Sequence, residues 1–178
     1  LIIVLVLIVL IAIYLVSTYN GLAKSKKKVK NAFSQIDVQL QRRFDLIPNL
    51  VDTIKGYMAH EAEVLEKVTE LRTSWANAST VAEKAGIENE VSNTLKSIMA
   101  VSENYPDLKA NQNFIELQET LKDTENKISF ARQFYNDAVT MFNTKLVVFP
   151  TNIIGSMFGF KEEELFKVDS DEARKNVK

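Results

Sequence analysis

The spacing of hydrophobic positions changes character along this chain. Residues 1–16 form an unbroken run without a charged or strongly polar side chain, nearly all Leu, Ile or Val. After a lysine-rich stretch, Val29, Phe33, Ile36, Leu40, Ile47, Leu50, Ile54, Tyr57, Val64, Val68, Leu71 and Trp75 recur at alternating three- and four-residue intervals, with Arg43 and Glu61 on the same seam. A mean spacing of roughly 3.5 residues is that of helices packed side by side. It predicts one helix from the apolar run to about Trp75, kinked but unbroken at Pro48, where an interior proline removes one hydrogen bond. A polar connection over 76–80 leads to a second helix over 81–103, with Ile87, Val91, Leu95, Ile98 and Ser102 facing inward. Tyr105, Pro106 and Asp107 close it, since the residue before proline is pushed out of the helical region.

A third helix starts near Asn111 or Asn113, and Asn113 with Glu116 has the spacing of a capping box. Its seam is Phe114, Leu117, Leu121, Thr124, Ile128, Ala131, Tyr135, Ala138, Phe142, Leu146 and Phe149, ending at Pro150. A second stripe, Phe130, Phe134, Met141 and Val148, lies beside the first, and a helix apolar on two adjacent faces needs cover on both. These four residues are therefore candidates for an oligomer interface. The apolar segment that follows (Ile153, Ile154, Met157, Phe158, Phe160) is expected to cap the bundle, with the membrane or a partner as alternatives. The fold class is mainly α: an N-terminal transmembrane helix, then a long antiparallel helical bundle of three long helices plus a short C-terminal helical segment. The divisions are a span at 1–19, a juxtamembrane segment at 20–30, a bundle domain at 31–160 and a charged tail at 161–178.

Sixteen helical residues cover about 24 Å, and extension to Tyr19 gives about 28 Å, against a bilayer core of about 30 Å. The chain begins at Leu1 rather than Met, so a few spanning residues are expected to precede it. Tyr14 and Tyr19 fall where an interfacial aromatic belt lies. A cleaved signal is the rival reading, but the run exceeds the usual apolar core of a signal and no small-x-small site follows it. Lys24, Lys26, Lys27, Lys28 and Lys30 come directly after the run and suit anionic headgroups, at roughly 1 kcal/mol each. By the positive-inside rule they place the C-terminal domain in the cytoplasm, with an extracytoplasmic domain as the alternative.

The net charge is −1 with 25% charged residues, so there is no globally basic face and nucleic acid is not an expected partner. The absence of cysteine excludes disulfides, thiolate catalysis and cysteine-held metal. His60 and Glu61 suggest the start of a zinc-protease motif, but position 64, where the second histidine would stand, is Val64. The glycines form no phosphate-binding loop, and no serine has a histidine elbow partner. No catalytic residue, metal or cofactor is expected, and the protein is read as no enzyme. Two polar groups stand out: Arg42, Arg43, Asp45 and Asn49 around Pro48, and Glu125, Asn126, Arg132 and Asn136 on the third helix. Setting helix register through hydrogen bonds is their expected role.

Four blocks, RRFDLIPNLVDTIKGYMAHE (42–61), YPDLKAN (105–111), ENKISFARQFYNDAV (125–139) and FPTNIIGSMFGF (149–160), occur in the order found in the LemA family, which the chain resembles over nearly all of its polar region. The resemblance implies a bacterial, single-pass cell-membrane protein with a helical domain and no assigned catalytic residues. The expected function is a non-enzymatic membrane-anchored scaffold that self-assembles into a homo-oligomer to organise or shape the membrane or hold partner proteins. The resemblance also leaves open an adaptor presenting substrates to a membrane protease in envelope quality control. A hydrolase of unknown type is the remaining alternative.

Overall fold

The computed structural model describes residues 1–58 and 60–167; Ala59 and positions 168–178 of the expected charged tail lie outside the described residues. The described chain is mainly helical: α1 (Ile2–Ile54), α2 (Ala62–Asn77), α3 (Val81–Ser102), α4 (Pro106–Lys109), α5 (Gln112–Val147) and α6 (Thr151–Met157). Pro48 lies inside α1 without interrupting it. The helix does not continue to Trp75, however. It ends at Ile54, residues 55–57 form a turn, and α2 begins at Ala62. Gly56, a poor helix former, sits in this break, and the next seam position is the charged Glu61. The seam also shifts by one residue, so that Met58 and Leu65 are buried while Tyr57 is exposed.

Two further expectations are corrected. The cap of α5 is Asn111, whose Oδ1 accepts the Phe114 N–H at 3.2 Å, rather than Asn113. Phe149 is exposed rather than on the buried seam, because α5 stops at Val147 before the inward phase returns. The Tyr105–Asp107 turn winds one helical turn of its own, α4, with Pro106 at its start, where a missing N–H costs nothing.

The chain divides into two compact units. The first comprises Leu1–Gln35 and Ala131–Leu165. In it α5 runs antiparallel to α1: Tyr135 meets Phe33 with ring centroids 5.7 Å apart, and further along Lys145 Nζ donates to Ser25 Oγ at 2.9 Å. Leu22, Val29, Ala138, Val139, Phe142 and Ile154 are buried there. A Cβ on Gly155 would come within 2.8 Å of Leu146 Cδ2 and 3.8 Å of Leu22 Cδ1, so glycine permits the close seating of α6. Gly159, at φ +72°, takes the left-handed conformation that turns the chain after α6. Phe160 then comes within 5.7 Å of the Tyr19 ring and 6.3 Å of the Phe142 ring. The next residues fold back along α5, where the Asn143 amide makes two bonds to the backbone of Glu163: Nδ2 donates to its carbonyl and Oδ1 accepts its N–H, both at 2.9 Å.

The second unit comprises Ile36–Phe130 with Phe166 and Lys167. Its core is Ile36, Leu40, Ile47 and Leu50 of α1, Val68 and Trp75 of α2, Val91 and Ile98 of α3, Leu108 of α4, and Phe114, Leu121 and Ile128 of α5. Phe166, at the start of the expected tail, is fully buried. The α2 to α3 connection closes on a capping box, with the Thr80 hydroxyl accepting the Glu83 N–H and the Glu83 carboxylate accepting the Thr80 N–H.

Candidate membrane and assembly surface

The apolar run leaves every side chain from Leu1 to Tyr14 exposed, and none of its most hydrophobic stretch is covered by the rest of the chain. By length and composition this part of α1 can cross a bilayer, and it suggests a membrane anchor or a signal sequence. Lys24, Lys26, Lys27, Lys28 and Lys30 follow on the same helix, all exposed. Two of them also serve the first unit: Lys26 Nζ lies 3.5 Å from a Glu163 carboxylate oxygen, and Lys28 Nζ stands 5.6 Å from the centre of the Phe134 ring.

The second stripe of α5 points outward. Phe134, Met141 and Val148 in the first unit, and Phe130 at the edge of the second, are between 50% and 74% exposed. Next to them Val147, Phe149, Ile153, Met157 and Phe158 are exposed as well, so α6 buries Ile154 and Gly155 but presents Ile153 and Met157, one turn apart, to the outside.

Of the polar residues singled out from the sequence, Arg43 is the one that is fully buried. Its Nη1 donates to Glu88 Oε1 at 2.6 Å and to Ser92 Oγ at 2.9 Å, and Ser92 Oγ donates to the same Glu88 oxygen at 3.0 Å. Arg43 Nε has no hydrogen-bond partner. Arg42, Asp45, Asn49, Glu125 and Asn126 are exposed, and Asp45 accepts a bond from Gln41 one turn back. Arg132 and Asn136 are half-buried and engaged. Glu88 and Ser92 escaped the sequence reading. The signal was present: counting back from Ser102 by four and three through Ile98, Leu95 and Val91 lands on Glu88, one position after Ile87.

A groove of about 540 Å³ in the second unit runs past Arg43, Ser92, Leu95, Met99, Gln118 and Glu125. Another, of about 620 Å³, lies between α1 and α2 over Val51, Met58, Leu65 and Thr69. Among the described residues no group of three or more His, Cys, Asp or Glu side chains could hold a metal ion.

In the first unit the Tyr135 hydroxyl donates to the Glu164 carbonyl at 2.7 Å. Burial, and then the charges of Glu163 and Glu164, push its pKa up to about 12 from the ordinary 10.0. A raised phenol pKa stabilises the fold fully below pH 10.0, and that contribution is lost as pH rises towards about 12, because the unfolded chain releases the proton first. Thermal unfolding followed from pH 9 to 12 should therefore show the wild type losing stability relative to Tyr135→Phe over that interval; parallel curves would remove the assignment.

The LemA family model matches residues 32–178. The chain belongs to the LemA family. It is 26% identical to Protein LemA of Metamycoplasma hominis, over 85% of this chain and 73% of that protein. It is 24% identical to Magnetosome protein MamQ 2 of Paramagnetospirillum magneticum, over 86% of this chain and 66% of the relative. Magnetosome protein MamQ of Magnetospirillum gryphiswaldense is similar at 24% identity, over 85% of this chain and 65% of its own length.

Proposed function

We propose that this LemA-family protein is a membrane-anchored helical scaffold whose copies associate side by side through α5, with a structural role and no catalytic one. The observation that carries the proposal is the outward-facing pair Phe134 and Met141, each more than half exposed in the first unit. Buried at a contact, such side chains contribute about 1.5–3 kcal/mol each, and their exposure in water is correspondingly costly. Retention of the apolar run would confine copies to two dimensions, which raises their effective concentration and lets a modest patch suffice. Two of the similar proteins bear the name magnetosome protein, which names no reaction, and this supports the structural reading.

The full chain extracted in mild detergent should run as a homo-oligomer. Phe134→Glu combined with Met141→Glu should dissociate it, at a cost of about 2 kcal/mol or more per anchoring side chain, while far-UV circular dichroism stays unchanged. A wild-type monomer at micromolar concentration, or a double variant of unaltered size, would remove the scaffold's physical basis.

A further inference from the structure

We infer that α6 and the turns that flank it form a second membrane contact, an interfacial element that dips into the headgroup and acyl boundary beside the N-terminal span; this rests on the reading of residues 1–16 as a retained anchor.

The geometry places α6 at the correct depth. The Phe158 ring lies 4.9 Å from the ring of Tyr19, and Gly155 seats α6 against Leu22, so α6 lies alongside the first turn of α1 after the apolar run. The uncharged apolar run ends at Val16 and the lysines begin at Lys24, so this turn falls at the lysine-side boundary of the bilayer. At that level the protein exposes Phe149, Ile153, Met157 and Phe158, each between 52% and 75% accessible. In a protein surrounded by water these would form an uncovered apolar patch; at an acyl boundary they are solvated by lipid.

The charge pattern points to lipid as the occupant rather than a second protein. From Leu146 to Phe160 no residue is charged; Lys161 follows at once, then Glu162, Glu163 and Glu164, of which Glu163 pairs with Lys26, while Lys24, Lys27, Lys28 and Lys30 stand just beyond the same level on α1. An apolar layer bordered on its water side by an excess of lysines over these three glutamates is the profile of an interfacial segment on anionic lipid. The patch is continuous in depth with the span itself, so one surface faces both. Buried Ile154 and the tight fit of Gly155 fix the orientation of α6, holding Ile153 and Met157 outward. The membrane contact is thus built into the fold of the first unit.

The chain has no cysteine, so single cysteines make unique reporters. Met157→Cys, with Leu10→Cys as a control in the span and Glu116→Cys as a control on α5 of the second unit, would each carry an environment-sensitive fluorophore in the full chain. The labelled proteins would be reconstituted into vesicles of phosphatidylcholine with phosphatidylglycerol. The expected result is a blue-shifted label at position 157, quenched several-fold more strongly by lipid-borne nitroxide than by aqueous iodide, as at position 10 and opposite to position 116. Lipid quenching at position 10 with iodide quenching at 157 would overturn the interfacial element while leaving the anchor in place. A label at 157 shielded from both quenchers would overturn it in favour of a protein cover such as a second copy. Iodide quenching at position 10 would instead show that the anchor reading has failed, and the inference with it.

Discussion

Replacing Glu88 by alanine is expected to destabilise the second unit by about 3–5 kcal/mol, because it strands a buried guanidinium without its counter-charge. The side chains of Arg43 and Glu88 are 2% and 3% exposed, so water cannot take the place of the lost carboxylate. Ser92 would remain as a neutral acceptor for the same nitrogen, and a single neutral bond recovers little of the desolvation cost. The pair as a whole need not be strongly stabilising, since bringing both ions out of water offsets much of their attraction. Arg43→Met together with Glu88→Leu, which removes both charges and keeps apolar volume, should therefore restore most of what Glu88→Ala loses. Trp75, the single tryptophan, sits in the same unit and reports unfolding by its fluorescence in a urea titration. A loss below about 1 kcal/mol for Glu88→Ala, the range of an exposed pair, would mean that the ion pair opens to solvent.

Trp75→Ala should cost a comparable amount, about 3–5 kcal/mol, from transfer and cavity terms. Trp75 is almost fully buried and stacks on Phe44 with centroids 4.9 Å apart and planes inclined by 16°. Lys84 Nζ lies 4.6 Å from the centre of the indole while also pairing with Asp37, so a cation from α3 covers an aromatic pair formed by α1 and α2. Loss of the indole would leave a void and remove the cation's ring partner together. Trp75→Phe keeps a ring in the stack and should retain most of the stability. Urea unfolding followed by circular dichroism measures both; equal losses for Ala and Phe would show that a ring at this position contributes nothing and would overturn the stack as a source of stability.

The helical rhythm made most of this fold legible. The alternating seam marked Ile36, Leu40, Leu50, Val91, Ile98 and Phe114, all of them buried, and Pro48 passes through α1 as its surroundings suggested. What failed was continuity. A three-four seam can be carried across a break by chance when a glycine and a charged seam residue intervene, and the one-residue shift to Met58 and Leu65 leaves no trace in spacing counted from one end. Arg43 was visible as a cation on an apolar seam, whereas Glu88 was hidden because the neighbouring Ile87 looked like the better core residue. The outward face of α5 was visible as a second stripe. The placement of α6 beside Tyr19 was not, since it depends on the antiparallel register of distant segments and on the space that Gly155 leaves.

The two bonds from Asn143 to Glu163 have a meaning for how this chain can vary. A side-chain amide that donates to a carbonyl and accepts from an N–H imitates a strand partner, and it addresses only peptide groups that every residue except proline carries. The path of the returning segment is thus written on α5, at Asn143 and at Tyr135, whose hydroxyl donates to the Glu164 carbonyl, and the exposed side chains of Glu162 and Glu164, unlike the buried Phe166, are left open to substitution. The instruction at Asn143 and the element it guides lie 20 residues apart. A stretch steered in this way can drift in composition until it looks like an unstructured charged end while still following the same course.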